Sequence, residues 1–314
     1  MKFTSSFTIL AVMVQLAAAS PALVRRASAS DIATVGYAAL GKTTGGSGGS
    51  TVTVTSLAEL TTAVADDTAK IVVISGTISG NTVVKVGSNK SVIGASGAAL
   101  EGVGLRVLDV ENVIIRNLKI SKVLAEAGDA VAIQASTKVW VDHVDLSSDQ
   151  DHDKDYYDGL LDVTHGSTYV SITNSVLHDH WKASLVGHSD SNEDEDTAIT
   201  VTYALNKWYN LNSRLPSFRF GTGHIFNNYY YDSSDGINTR VGAQLLVENN
   251  VFSGLKKPLY STDSGYAVAT GNDFGDGENT AEAGTFTTAP YDYDLLDASA
   301  VVAAVSSAGA TLSF

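Results

Sequence analysis

Short strand-like segments ending on a turn-forming polar residue recur along the middle of this 314-residue chain, and this recurrence limits its fold more than any other feature. The segments are IIRNLKI at 114–120, VDHVDL at 141–146, ITNSVL at 172–177, FNNYYY at 226–231 and VENNVF at 247–252. Their recurring polar positions are Asn117, His143, Asn174, Asn228 and Asn249, with Tyr203 in VTYALNKW a degenerate member. Spacings of 26, 31, 29, 25 and 21 residues suit the coils of a solenoid. The long amphipathic helices that a doubly wound sheet needs between strands are missing from the pattern. An all-β parallel β-helix accounts for both facts, because a turn asparagine can stack on that of the next coil and satisfy backbone groups. A β-sandwich of short alternating strands is the competing architecture.

Further coils are expected near 71–79 (IVVISGTIS) and 91–102 (SVIGASGAALEG). Before them, TSLAELTTAVAD at 55–66 combines a Ser/Thr cap, a following Glu and apolar residues at helical spacing, which predicts a short N-terminal helix capping the solenoid. DASAVVAAVSSAGA at 297–310 predicts a helix of weaker pattern covering the other side. GGSGGS at 45–50 reads as a flexible turn and lacks the Lys-Ser/Thr ending of a phosphate loop.

Lys2, the apolar run FTILAVMVQLAAA and the small residues Ala18, Ala19 and Ser20 have the pattern of a secretory signal peptide over 1–19. The dibasic pair Arg25–Arg26 is consistent with a pro-segment ending at 26, leaving 27–314 as one domain. The chain has no cysteine, so disulfides and thiolate metal sites are excluded although the secretory route permits them. Asn89-Lys90-Ser91 is the single glycosylation sequon. Without residues 1–26 the chain keeps 17 basic side chains (20 less Lys2, Arg25 and Arg26) against 34 acidic ones, a net charge of −17 that opposes anionic ligands.

The segment before each ladder strand carries the chemically interesting side chains: Asp129 in GDAVAI, Asp158 and Asp162 in DGLLDV, Lys182 in KASLVG, and Arg214 and Arg219 in RLPSFRFG. Equivalent positions in successive coils lie roughly 4.8 Å apart, so these residues become neighbours on one sheet. Asp129 and Asp162 precede His143 and Asn174 by 14 and 12 residues, close enough in register to meet, with Asp158 beside them. Gathered carboxylates repel and raise one another's pKa unless a cation lies between them, and an oxygen-only donor set suits Ca2+ rather than zinc. Leu160, between the two aspartates on the same nominal face, does not fit that alternation. The acidic run DSNEDED at 190–196 reads as a solvated loop, and DQDHDKD at 149–155 lacks the EF-hand spacing. His178, His180 and His188 around Lys182 read as structural hydrogen-bonding groups, and Arg240 either extends the subsite or pairs with an acidic neighbour.

WVDHVDL, YDGLLDVTHGS, HDHWKASLVGHSDS, NSRLPSFRFGTGHIFNNYY and DGINTRVGAQLLVENNVFSG, in this order, resemble the pectate lyases of polysaccharide lyase family 1, in their fungal secreted branch. The resemblance implies a right-handed parallel β-helix that cleaves de-esterified homogalacturonan, a polygalacturonate, by β-elimination with calcium. It implies that Asp129, Asp158 and Asp162 hold calcium, that Lys182 and Arg219 bind substrate, and that Arg214 is the base. The chain departs from some members in having Ala127 where an acid stands and Thr164 where a lysine stands, which leaves Glu126 or water to complete the calcium shell. Related pectin lyases replace calcium with a basic side chain, and the three retained aspartates argue against that subtype. A polygalacturonase would instead need paired acids of split pKa and no metal, and a non-catalytic β-helix would bind pectate without cleaving it. An extracellular monomer acting on a polysaccharide is expected, with no nucleic-acid or membrane partner.

Overall fold

Parallel pairing runs the length of the molecule. The computed structural model describes residues 27–314, so the expected signal peptide and the Arg25–Arg26 pair lie outside the described residues. Strands stack into an eleven-stranded sheet and a fifteen-stranded sheet. The second sheet divides at the long strand Ala99–Leu108, whose start pairs with Lys119–Ser121 and whose end pairs with Val131–Gln134. From there two columns continue along the axis, giving each coil three strands and the whole the form of a right-handed parallel β-helix.

Alternation along each strand builds the interior. In the eleven-stranded sheet Val72, Val92, Ile115, Val141, Ile172, Tyr203, Ile225 and Val247 stand in register, one per coil, and all are fully buried. Each such aliphatic side chain contributes about 1.5–3 kcal/mol on leaving water. Tyr203 therefore belongs to the interior and not to the turn series expected from its spacing, and its hydroxyl bonds to Ser184 Oγ at 2.7 Å. Trp208, Tyr230, Phe252 and Phe274 form a stack inside the other sheet, with ring centroids 5.6, 4.7 and 5.5 Å apart.

The turn asparagines occupy two columns that the sequence pattern had merged. Asn117, His143 and Asn174 share a left-handed backbone with φ of 55°, 51° and 49°, a series continued by Leu205, Asn227 and Asn249. Asn228 is one residue out of that column. It belongs to a ladder of Asn206, Asn228, Asn250 and Asn272, in which the side-chain oxygens of the last three accept from both the backbone and side-chain N–H of the asparagine 22 residues earlier, at 2.9–3.0 Å. Asparagine suits both positions, tolerating the left-handed region and pairing with its own kind, so the doublets 227–228 and 249–250 are ambiguous in sequence.

The capping helix spans Leu57–Val64. Ser56 Oγ accepts from Glu59 N, the Glu59 carboxylate accepts from Thr55 N at 2.8 Å, and Leu60 and Val64 close the core. The C-terminal helix, Ala298–Ala304, lies along the flank of the turns. The chain around it is clamped there by the turn residues: Leu296 N donates to Asn227 Oδ1, Gly309 N to Asn174 O and Leu312 N to Asn117 Oδ1. The glycine-rich turn is tightly packed rather than loose, because a Cβ on Gly46 or Gly49 would lie 1.9 Å from the Lys70 or Ala69 carbonyl oxygen. Asn89 of the sequon donates to Asp67 O and accepts from Asn112, closing a turn.

Candidate active site

Val131–Gln134, Leu161–Thr164, Leu185–Val186, Ser217–Arg219 and Ile237–Arg240 are consecutive rungs of one strand column. This column carries Asp162 and Arg219, with Asp129, Asp158 and Arg214 in the turns that lead into it, and Lys182 ends a strand of the neighbouring column. Asp129 lies just before the first rung, and its Oδ1 accepts from Gly159 N at 2.8 Å. Asp162 stands in the second rung, and its Oδ1 accepts from Leu185 N at 2.8 Å. Between them Gly159 has no room for a side chain: a Cβ would lie 2.7 Å from Asp162 Oδ1 and 2.8 Å from Asp129 Oδ1. The missing side chain leaves a cradle flanked by two carboxylates.

The electrostatics of that cradle are unfavourable for two bare anions. Burial first, then repulsion from Asp162 and Asp158, holds the Asp129 carboxyl well above the usual range. Burial also lifts Asp162 to about 6, against the opposing charge of Arg214. Oxygen donors that resist simultaneous ionisation fit a hard divalent cation, whose charge removes the penalty.

Asp158 is adjacent but turned aside. Its Oδ1 lies 3.3 Å from Lys182 Nζ, which also reaches Asp155 at 3.3 Å. Among the described residues no three His, Asp or Glu side chains converge on a common metal position. Mutual repulsion gives the physical reason, since the more exposed Asp158 finds its counter-charge in Lys182. The Asp158 carbonyl accepts from His180 Nε2. Burial lowers the His180 pKa to about 4, so it donates as a neutral imidazole and positions the Asp158 backbone. His178 stacks on Tyr209 and bonds to Asp145 and Asp179, while His188 lies against the His165 ring at 4.3 Å.

Lys182 ends the strand Val176–Lys182 and pairs in register with Ser213, so Arg214 emerges one residue beyond it in the next coil. Arg214 has φ of 66°, and its guanidinium makes no hydrogen bond or ion pair with the described residues, although its charge acts on Asp162 and Asp129. Arg219 stands opposite Arg240, and Asp190 bridges the two, at 2.5 Å from Arg219 Nε and 3.1 Å from Arg240 Nη2. Arg240 also pairs with Asp263 at 3.2 Å.

The acidic run 190–196 is solvated at Asp190, Glu193, Asp194 and Glu195, as its charge suggests, but two of its acids have structural partners. Asp190 neutralises two arginines, and Asp196 is fully buried, accepting from Gly166 N and His188 N. Leu160 loses its anomaly as well: the strand begins at Leu161, and both leucines enter the core. Glu126 bonds to Asn81 on a neighbouring coil, and so is engaged away from the aspartates. Gly159 and Asp190 are the site residues that sequence reasoning missed, whereas His180 takes the structural hydrogen-bonding role expected of it. Its signal was its place two residues before Lys182 on the same strand.

The chain matches the pectate lyase family model over residues 8–311. It is 63% identical over 295 residues to probable pectate lyase A of Aspergillus niger, covering 92% of this chain and 91% of that one. Pectate lyase A of Emericella nidulans is also 63% identical, over 92% of this chain and 90% of its own. Among solved structures, a pectate lyase from Bacillus sp. N165 in complex with trigalacturonate superposes with a TM-score of 0.80 at 30% identity, covering 88% of this chain and 98% of that one. Pectate lyase II from Xanthomonas campestris gives a TM-score of 0.80 at 26% identity, over 89% and 98% of the two chains. A parallel β-helix with a paired-carboxylate cradle beside a lysine and arginines, read together with these likenesses, establishes that the chain belongs to the pectate lyase family.

Proposed function

We propose that this lyase cleaves de-esterified α-1,4-linked polygalacturonate by calcium-dependent β-elimination, leaving an unsaturated end on one product. The observation that carries the reading is the Gly159 cradle, where the half-buried Asp129 and the buried Asp162, both of raised pKa, face each other beside an unpaired arginine. Asp129 and Asp162, with Asp158 once released from Lys182, would hold calcium. When bound, calcium supplies positive charge that bridges protein and substrate carboxylates and makes the proton at C5 of the uronate more acidic.

The chain's own residues do the rest. Lys182 and Arg219 bind uronate carboxylates, each exchanging an aspartate partner for substrate. Arg214 faces the carboxylate pair without a partner of its own and takes the C5 proton. An arginine holds its proton in water, so this role requires the neighbouring cations, Lys182 among them, to disfavour a further positive charge. His180 keeps Asp158 in place. Residues 27–314 act as one catalytic domain, exported by the segment 1–19 and working as an extracellular monomer on a polysaccharide. The signal-like N-terminus and the named fungal relatives support that placement.

The test is to follow absorbance of the unsaturated product with purified protein on polygalacturonate, with calcium and with a chelator. Product that forms only with calcium is expected. Shortened chains without unsaturation would indicate hydrolysis, and no cleavage would indicate a binding protein.

A further inference from the structure

Five arginines stand among the described residues, and three of them are paired with carboxylates: Arg116 with Asp142 and Asp31, Arg219 with Asp190, and Arg240 with Asp190 and Asp263. The other two are Arg214, at the site, and Arg106. In a chain with 34 acidic residues and 20 basic ones, an uncompensated guanidinium is an exception. The Arg106 Nε is moreover buried with no hydrogen-bond partner. A guanidinium held in that state costs stability, a cost that a negatively charged ligand would offset.

The position of Arg106 says which ligand. It lies on the outer face of strand Ala99–Leu108, between the buried Leu105 and Val107. It stands in register with Ala132, which stands in register with Asp162. Arg106 is thus two rungs before Asp162, roughly 10 Å along the axis. Arg219 lies two rungs beyond the same strand, in the opposite direction. Ala132 between them is small and itself buried, so no long side chain stands between the two positions. The Arg106 guanidinium reaches beside Gly128, where a Cβ would lie 3.0 Å from Nη2, and Gly128 precedes Asp129 directly. One rung further out, Lys85 stands in register with Arg106, exposed and likewise without an acidic partner.

We propose that Arg106, backed by Lys85, is a carboxylate-binding subsite that extends the catalytic groove across Ala132 and sets the preference for longer uronate chains. The inference rests on the proposed polygalacturonate reading. A polyuronate carries a negative charge on every sugar, so one lying along the axis presents carboxylates on both sides of the cradle. Arg219 and Arg240 would receive those on one side only after displacing Asp190, whereas Arg106 is already free to receive those on the other. The guanidinium offers a planar fork that matches a carboxylate, and Lys85 adds a point charge beyond it.

The experiment compares wild type, Arg106→Gln, Arg106→Lys and Lys85→Gln on trigalacturonate, hexagalacturonate and polygalacturonate, with calcium saturating. Arg106→Gln should lower kcat/KM on the two longer substrates by about tenfold, mainly through KM, while changing trigalacturonate cleavage little. The salt dependence of KM on polygalacturonate should become shallower. Arg106→Lys should recover part of the loss, and Lys85→Gln should show a smaller, chain-length-dependent effect. Equal losses on all three substrates together with a lower melting temperature would make Arg106 merely structural, and unchanged kinetics would remove the subsite; either result overturns the proposal. Wild-type formation of unsaturated product on the same substrates reads the parent hypothesis separately, so the two cannot fail unnoticed together.

Discussion

Replacing Gly159 with alanine isolates the carboxylate cradle from the rest of the fold. Gly159 does not adopt a positive φ, so alanine brings no backbone strain, and its Cβ meets only the ends of two side chains, Asp162 Oδ1 at 2.7 Å and Asp129 Oδ1 at 2.8 Å, with Asp162 Cγ at 3.0 Å. Ordinary contact begins near 3.4 Å, so the Asp162 and Asp129 oxygens must retreat by about 0.7 and 0.6 Å. That movement strains the bonds from Gly159 N and Leu185 N that now orient them. Metal sites tolerate about 0.2 Å in ligand distance, and a displacement near 1 Å at a reacting centre costs about a hundredfold in rate.

The expected outcome is a kcat/KM on polygalacturonate lowered by about 30- to 100-fold, with half-saturating calcium raised by about tenfold or more. The melting temperature should move by no more than about 4 °C, because a gain in unfolded-state rigidity offsets a weakened hydrogen bond. The assays are ultraviolet detection of product across a calcium titration, and thermal unfolding. Wild-type activity and calcium dependence in the variant would refute the placement of metal and chemistry at this cradle. An activity loss accompanied by unfolding would refute the argument that alanine is tolerated sterically.

Asn228→Ala removes a fully buried ladder member that accepts from Asn206 and donates to Tyr203 O and Phe226 O; the orphaned groups predict a loss of about 3–5 kcal/mol by denaturant unfolding, against a smaller loss for Asn272→Ala at the ladder's more exposed end. Arg214→Lys keeps the charge but changes the group facing the carboxylates, so turnover should fall by about a hundredfold or more. Near-normal turnover with an unchanged pH profile would end its assignment as base. Burial raises the Asp142 pKa, but hydrogen bonding from His143 and the charge of Arg116 outweigh it and leave the carboxyl below its ordinary 3.8. A carboxylate of depressed pKa contributes stability that is complete above the unfolded value and disappears as pH falls through the folded one. Thermal unfolding of Asp142→Asn should therefore show a lower melting temperature near neutrality and a flatter acid limb below about pH 4. A variant that kept the wild-type acid limb would show that other carboxylates account for it.

Much of the architecture was legible because a solenoid repeats its local rules. Apolar alternation, turn asparagines and a capping-box signature all lie within a few residues of one another, and each points to the same coil. Legibility failed where two residue positions serve similar needs. Asn227 and Asn228 differ in whether asparagine is chosen for a left-handed turn or for a buried ladder, and both choices read as Asn. The same holds for Tyr203, whose spacing fits a turn but whose ring fills the core. For the site, residue type and coil order brought Asp129, Asp158, Asp162, Lys182, Arg214 and Arg219 together. Gly159 was silent because its contribution is the absence of a side chain, and the pairing of Asp190 went unseen because its arginine partners are 29 and 50 residues away.

By itself, then, the sequence determined the coil periodicity, the capping helix and the family-specific cluster of acids beside bases, since these follow from short-range patterning. Only the tertiary structure decided which cations are free and which are already paired. Charge pairing depends on distances of a few ångströms between residues in different coils, so Arg219 and Arg240 come out neutralised by Asp190, whereas Arg214 and Arg106 come out bare.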